Sequence, residues 1–189
     1  MGKIVVTEFV SLDGVMEAPG GGEEYAHAGW TFKFDRGAEG DEFKLKETMD
    51  SAALLLGRRT YEGFAAAWPT MEGEFAEKFN RMPKYVVSAT LQDPTWTNTT
   101  VLGGELEGEL ARLKESLDGE IVVHGSAQLA QALLARDLVD ELRLMVFPVV
   151  LGSGKRLFAD DASETRTLRL SSSKVVGDGV AVLTYEAAR

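Results

Sequence analysis

Three short clusters in this chain carry the residue types that hold an anion. Gly57-Arg58-Arg59-Thr60, Ser88-Ala89-Thr90 and His124-Gly125-Ser126-Ala127-Gln128 each follow an apolar, β-branched run. Glycine lets a backbone close on a ligand, hydroxyls hydrogen-bond, and a guanidinium matches a pair of phosphate oxygens. Any one cluster reads as a turn beside a solvated face. Three of them, at consecutive strand ends, read as one phosphate-binding rim. The glycine fingerprint GxGxxG is absent, so this is not the ordinary dinucleotide pattern.

Two carboxylates are candidates for chemistry. Asp13, in Ser11-Leu12-Asp13-Gly14, stands at the mouth of the first strand, either as an acid facing a ligand or as a turn-former bonding its own backbone. Asp41 follows Gly40 at a helix start, where an acid serves equally as a helix cap. The loop Gly152-Ser153-Gly154-Lys155-Arg156 invites a phosphate-clamp reading but lacks the P-loop spacing, which leaves a solvated basic loop as its alternative. His124 closes an apolar strand and reads as packed; His27 sits in a loop with Tyr25, Trp30, Phe32 and Phe34 that is open to reading as a lid, core or contact surface.

Composition narrows the field. With no cysteine and two histidines in 189 residues, a disulfide scaffold, a thiolate metal site, a thiol nucleophile and a histidine-rich metal centre are excluded; no metal is expected. Thirty acidic residues against 20 basic give a net charge of −10, the wrong sign for a duplex-binding surface. The longest apolar stretch, 144–151, falls far short of the roughly 20 residues of a membrane-spanning helix and contains Pro148. With no leader-like segment at its start, the chain is expected in the cytoplasm.

The elements that must position these residues follow from periodicity. Strands are expected at 4–10, 52–56, 85–87, 99–102, 121–124 and 141–147. Helices are expected at 41–50, with Phe43, Leu45 and Met49 apolar, and at 59–68, 72–81, 105–117 and 127–136, the last capped by Ser126. Strands at 167–176 and 180–186 flank Gly177-Asp178-Gly179, a hairpin signal. The alternation predicts one α/β domain over 1–189: a mostly parallel mixed sheet, helices on both faces, and a C-terminal antiparallel hairpin.

In order and separation, Ser11-Leu12-Asp13-Gly14-Val15, Leu56-Gly57-Arg58-Arg59-Thr60-Tyr61-Glu62, Val87-Ser88, Val123-His124-Gly125-Ser126 and Pro148-Val149-Val150-Leu151-Gly152-Ser153-Gly154 resemble the dihydrofolate reductase-like superfamily. They are most similar to the branch containing the reductase domain of bacterial riboflavin-biosynthesis deaminase/reductases, across nearly the whole chain. The resemblance implies a dihydrofolate reductase-like fold and an NADPH-dependent reductase. Gly57, Arg58, Arg59 and Thr60 would hold the 2′-phosphate and pyrophosphate, and Ser88 and Ala89 would flank the ribose. Gly125, Ser126, Ala127 and Gln128 would wrap the central phosphates, and Phe9, Val10 and the 11–16 loop with Met16 would border the nicotinamide. It also implies catalytic carboxylates at Asp13 or Asp41, the latter where folate-reducing members carry a pterin-binding acid. The expected substrate is a small heterocycle or sugar phosphate, such as a pyrimidine ribosylamine phosphate, with a pterin or a non-catalytic NADPH-binding role as alternatives. A homodimer is expected from the family and from the apolar run 142–150.

Overall fold

The computed structural model describes residues 1–158 and 165–187. Eight strands form one sheet: β1 (Lys3–Ser11), β2 (Ser51–Gly57), β3 (Lys84–Val87), β4 (Thr99–Leu102), β5 (Glu120–His124), β6 (Glu141–Phe147), β7 (Leu168–Val176) and β8 (Val180–Ala187). Their spatial order is β4-β3-β2-β5-β1-β6-β8-β7. The first six run parallel to one another, and β8 pairs antiparallel with both β6 and β7. The mixed sheet with its closing hairpin is the architecture the alternation predicts.

Burial on both faces explains why the central strands read as unbroken apolar runs. In β2, Ala53 and Leu55 pack with Leu110 and Leu113 of α4 (Leu106–Ser116) and Leu129, Ala130 and Leu133 of α5 (Ala127–Ala135). Leu54 and Leu56 face the other way, onto Tyr61 of α2 (Arg58–Ala67) and Phe79 of α3 (Glu74–Arg81). A third cluster joins Trp30 to Met145, Phe147, Val176, Val180 and Val182 at the hairpin side.

The first helix, α1 (Gly37–Asp50), departs from expectation. It begins four residues earlier because Asp35 accepts the Gly37 N–H at 2.7 Å, a side-chain signal one position outside the usual cap. Asp41 therefore lies inside the helix, exposed and paired with Arg36 at 2.7 Å, so the capping reading is overturned. The buried side of α1 is Gly40, Lys44, Glu47 and Thr48, whereas Phe43, Leu45 and Met49 are half-buried.

Two other ambiguities resolve. In the aromatic loop Trp30 is fully buried edge-on to Phe147, Phe34 packs on the same ring, and Phe32 is exposed. The loop contributes core. Of the apolar run 142–150, Leu142, Leu144, Met145 and Phe147 are buried in the sheet between β1 and β8, whereas Val150 beyond the strand is exposed.

Candidate active site

All six parallel strands deliver their carboxyl ends to one rim, the place where α/β sheets bind ligands. The rim has a step: β5 stops at His124 opposite Thr7, while β1 continues to Ser11 beside β6. Among the described residues, no strand pairs with the β5-side edge of β1 beyond Thr7.

The ends of β2 and β5 are tied together above this step. Gly57 N–H donates to Ser126 Oγ at 3.0 Å, Ser126 N–H donates to Thr60 Oγ1 at 2.9 Å, and Gly125 N–H donates to Glu8 Oε2 at 3.0 Å. Gly125 and Ser126 are consecutive left-handed residues, with φ of 60° and 59°. A Cβ on Gly125 would stand 3.2 Å from Thr60 Cγ2, so both conformation and space favour glycine there. Ser126 occupies the expected cap position of α5, but its side chain does not cap that helix; the hydroxyl is committed to Gly57 instead. The result is two helix N-termini, α2 and α5, side by side and both without side-chain caps. Their first-turn N–H groups suit an anion.

Around this pair the remaining rim residues distribute unevenly. Arg58 and Arg59 are exposed at the start of α2, with Arg58 also bonded to Glu62 at 3.0 Å. Ser88 uses its hydroxyl to accept the N–H groups of Thr90 and Leu91, leaving Ala89 exposed at the strand end. Ala127 and Gln128 form the first turn of α5. Val10 and Met16 are buried in the main core, whereas Phe9 is half-buried at the step.

Asp13 is heavily engaged. Its carboxylate accepts from Ser11 Oγ at 2.6 Å, Leu151 N at 3.1 Å and Gly152 N at 2.7 Å. The Ser11 hydroxyl first, and then the two backbone N–H groups, outweigh partial desolvation and lower its pKa to about 2. An acid that ionised donates no proton near neutrality, so this geometry opposes a proton-donor role and makes Asp13 a clamp between two loops. Because the folded pKa is depressed, the clamp stabilises above the unfolded value of about 3.9 and is lost as pH falls toward 2. Asp13→Asn is expected to flatten the acid limb of the stability curve between those values, by up to about 2 kcal/mol. Urea unfolding at stepped pH reads it; an unchanged acid limb would remove the clamp.

The 152–156 loop is also committed internally. Lys155 pairs with Glu17 at 2.7 Å, Arg156 Nε donates to the Asp13 carbonyl at 3.1 Å, and Tyr25 OH donates to the Ser153 carbonyl at 2.6 Å. The phosphate-clamp reading gives way to a loop lock. His27 is exposed, edge-on to the Tyr25 ring.

Sequence reading passes over a buried polar network beneath α1. Lys44 Nζ donates to Thr7 Oγ1 at 3.1 Å and to Glu47, and lies 5.2 Å from the centre of the Phe9 ring. Glu47 Oε1 stands 3.5 Å from Arg143, which also binds Glu120 and Glu141 at 2.6 Å each. His124 neighbours Thr7 in register, with Nε2 shut from solvent. Desolvation, then the Lys44 charge, lowers its pKa to about 3, so its imidazole is neutral. The available signal was Thr7-Glu8 interrupting an otherwise apolar strand. A groove of about 420 Å³ lined by Ala65, Pro69, Asn80, Thr95, Trp96 and Thr97 lies at the opposite, amino end of β3 and β4, away from these groups.

The sheet order and the antiparallel closing hairpin define a dihydrofolate reductase-like fold. The fold matches dihydrofolate reductase of Enterococcus faecalis in complex with NADP(H), with a TM-score of 0.59 at 14% identity over 99% of this chain and 97% of that one. A pyrimidine reductase-like protein of Corynebacterium diphtheriae matches at 0.68 and 14%, covering 99% and 92%. The profile of the RibD C-terminal domain matches residues 2–182, and the chain belongs to that family. YwjB of Bacillus subtilis, itself uncharacterized, is 29% identical over 94% of both chains. RibD of Acinetobacter baumannii shares the fold at a TM-score of 0.69 and 16% identity; this chain, matched over its full length, spans 59% of that longer one. Family membership makes the chain an oxidoreductase of the riboflavin-biosynthesis reductase type. Among the described residues, no helix is long and apolar enough to cross a membrane.

Proposed function

We propose that this chain is an NADPH-dependent reductase. The observation that carries the reading is the pair of uncapped helix N-termini, α2 and α5, locked together by the Gly57–Ser126–Thr60 hydrogen bonds with Arg58 and Arg59 at one side. This arrangement supports a pyrophosphate across the two helix starts and a ribose 2′-phosphate on the arginines, whose fixed charge favours the phosphorylated cofactor. Bound NADPH would supply a hydride; the protein's part is to align an acceptor at the step beside Phe9. Asp13 locks the loops that border that step.

For the acceptor we propose a small heterocycle or sugar-phosphate imine of the pyrimidine ribosylamine type. A pterin substrate is less well supported, because Asp41 is exposed and bonded to Arg36 while α1 presents Gly40, Lys44, Glu47 and Thr48 to the sheet. Titration with NADPH and NADH, followed by nucleotide fluorescence, tests the cofactor assignment. NADPH is expected to bind at least about tenfold more tightly, a preference of about 1.4 kcal/mol, and Arg58→Ala or Arg59→Ala should erase it. Equal affinity for both nucleotides, or no binding of either, would sink the assignment. NADPH binding without turnover across a heterocycle screen would instead favour a non-catalytic binding role.

A further inference from the structure

Glu8 is a buried carboxyl on β1, next to the rim and without a part in the reading above. Its Oε2 accepts the Gly125 N–H at 3.0 Å, and its Oε1 is shut from solvent with no hydrogen-bond partner among the described residues. Ionised, Glu8 would place a buried, half-satisfied negative charge directly beneath the turn that opens α5, which is costly in itself. It would also repel phosphates at that turn. As the neutral acid it makes the same bond to Gly125 and adds no charge.

We propose that Glu8 is a positioning residue for the phosphate turn, holding Gly125 and Ser126 in their left-handed conformation as an uncharged carboxylic acid, so that dinucleotide affinity depends on its proton. The inference rests on the NADPH reading. The surroundings agree with a neutral Glu8. Burial first raises its pKa well above the usual carboxylate value, opposed by the Gly125 N–H and the Lys44 charge and reinforced by Glu47. These two charges come from α1, and β5 contributes the Gly125 N–H at its end. Its register neighbour on β6 is Leu144, and α5 closes that face with Ala127, Leu129 and Ala130, none of them charged. Thr60 of α2 completes the surround through Ser126.

The test compares wild type, Glu8→Gln and Glu8→Ala by NADPH fluorescence titration across the whole pH range in which the fold is stable. Wild-type affinity should fall about tenfold per pH unit once Glu8 ionises. Glu8→Gln, which keeps an uncharged partner for Gly125, should bind within about twofold of wild type at low pH and lose the pH dependence. Glu8→Ala should bind about tenfold more weakly throughout, the value of one lost hydrogen bond at the turn. An independent readout on the ligand-free protein is the infrared carbonyl band of a protonated carboxyl, present in wild type at neutral pH and missing in Glu8→Gln. Absence of that band, or a wild-type pH profile retained in Glu8→Gln, would overturn the inference while leaving NADPH binding intact. Failure of the wild type to bind NADPH at any pH would instead overturn the cofactor reading and this one with it.

Discussion

Lys44→Met is expected to cost the chain about 3–5 kcal/mol of stability, and adding Glu47→Leu should return most of it. Lys44 and Glu47 are both almost wholly buried beneath α1, one turn apart on the face that meets the sheet. Burial alone pushes the Glu47 carboxyl up, yet the Lys44 charge, with the His124 environment and hydrogen bonds, holds it below its usual value. Removing the ammonium leaves an ionised carboxylate in a dry interior, with Arg143 3.5 Å away and already bound by two other carboxylates. Most of the loss is therefore the stranded partner, not the value of the pair, and a double apolar replacement removes the stranded charge as well. Urea denaturation of wild type, both single variants and the double variant gives the coupling energy directly. A double variant as unstable as Lys44→Met would show that the network contributes through Thr7 and Phe9 instead of through the Lys44–Glu47 contact.

That network also marks where sequence reading stops. The parallel sheet was legible because strands such as 52–56 and 121–124 are buried on two faces and must be apolar throughout. The loops of the rim were legible because each follows an apolar run and Gly125 meets a local demand for positive φ, whereas the Gly57–Ser126 and Ser126–Thr60 bonds that join them span distant segments. The inward face of α1 was not. A helix carrying Lys44 and Glu47 three apart reads as a solvated face, and Phe43, Leu45 and Met49 read as the apolar one. The charges point inward because Thr7, His124 and Arg143 wait on the sheet, supplied by three strands distant in sequence. No periodicity reports a partner that far away. Asp13 was legible only in part: its turn and Ser11 were visible, whereas the N–H groups of Leu151 and Gly152 that also hold its carboxylate come from a segment far along the chain.

Gly177→Ala should destabilise the protein by about 3 kcal/mol or more, near the upper end for a single substitution. The tip of the β7–β8 hairpin is docked on the approach to α1: Asp178 N–H donates to the Asp35 carbonyl at 2.8 Å, and Asp35 N–H donates to Asp178 Oδ2 at 2.8 Å. At Gly177 φ is 48°, a left-handed value that alone costs a non-glycine residue about 1–2 kcal/mol. The larger part is steric. A Cβ there would lie 2.7 Å from Arg36 Cα and nearer still to Asp35 O and Arg36 C, all backbone that no rotamer change can move aside. Relief requires the hairpin tip to lift from 35–36, which breaks both Asp35–Asp178 bonds and frees the residues that start α1. Since α1 carries Lys44 to the step beside Phe9, the damage should reach the rim: alongside the lower urea midpoint, a binding assay should show a weaker ligand site. Gly179→Ala is the control, because its φ of 87° is equally left-handed but a Cβ there meets nothing within 4 Å. If the two variants lose the same stability, the cost is backbone conformation alone and the docking of the hairpin on α1 contributes nothing measurable.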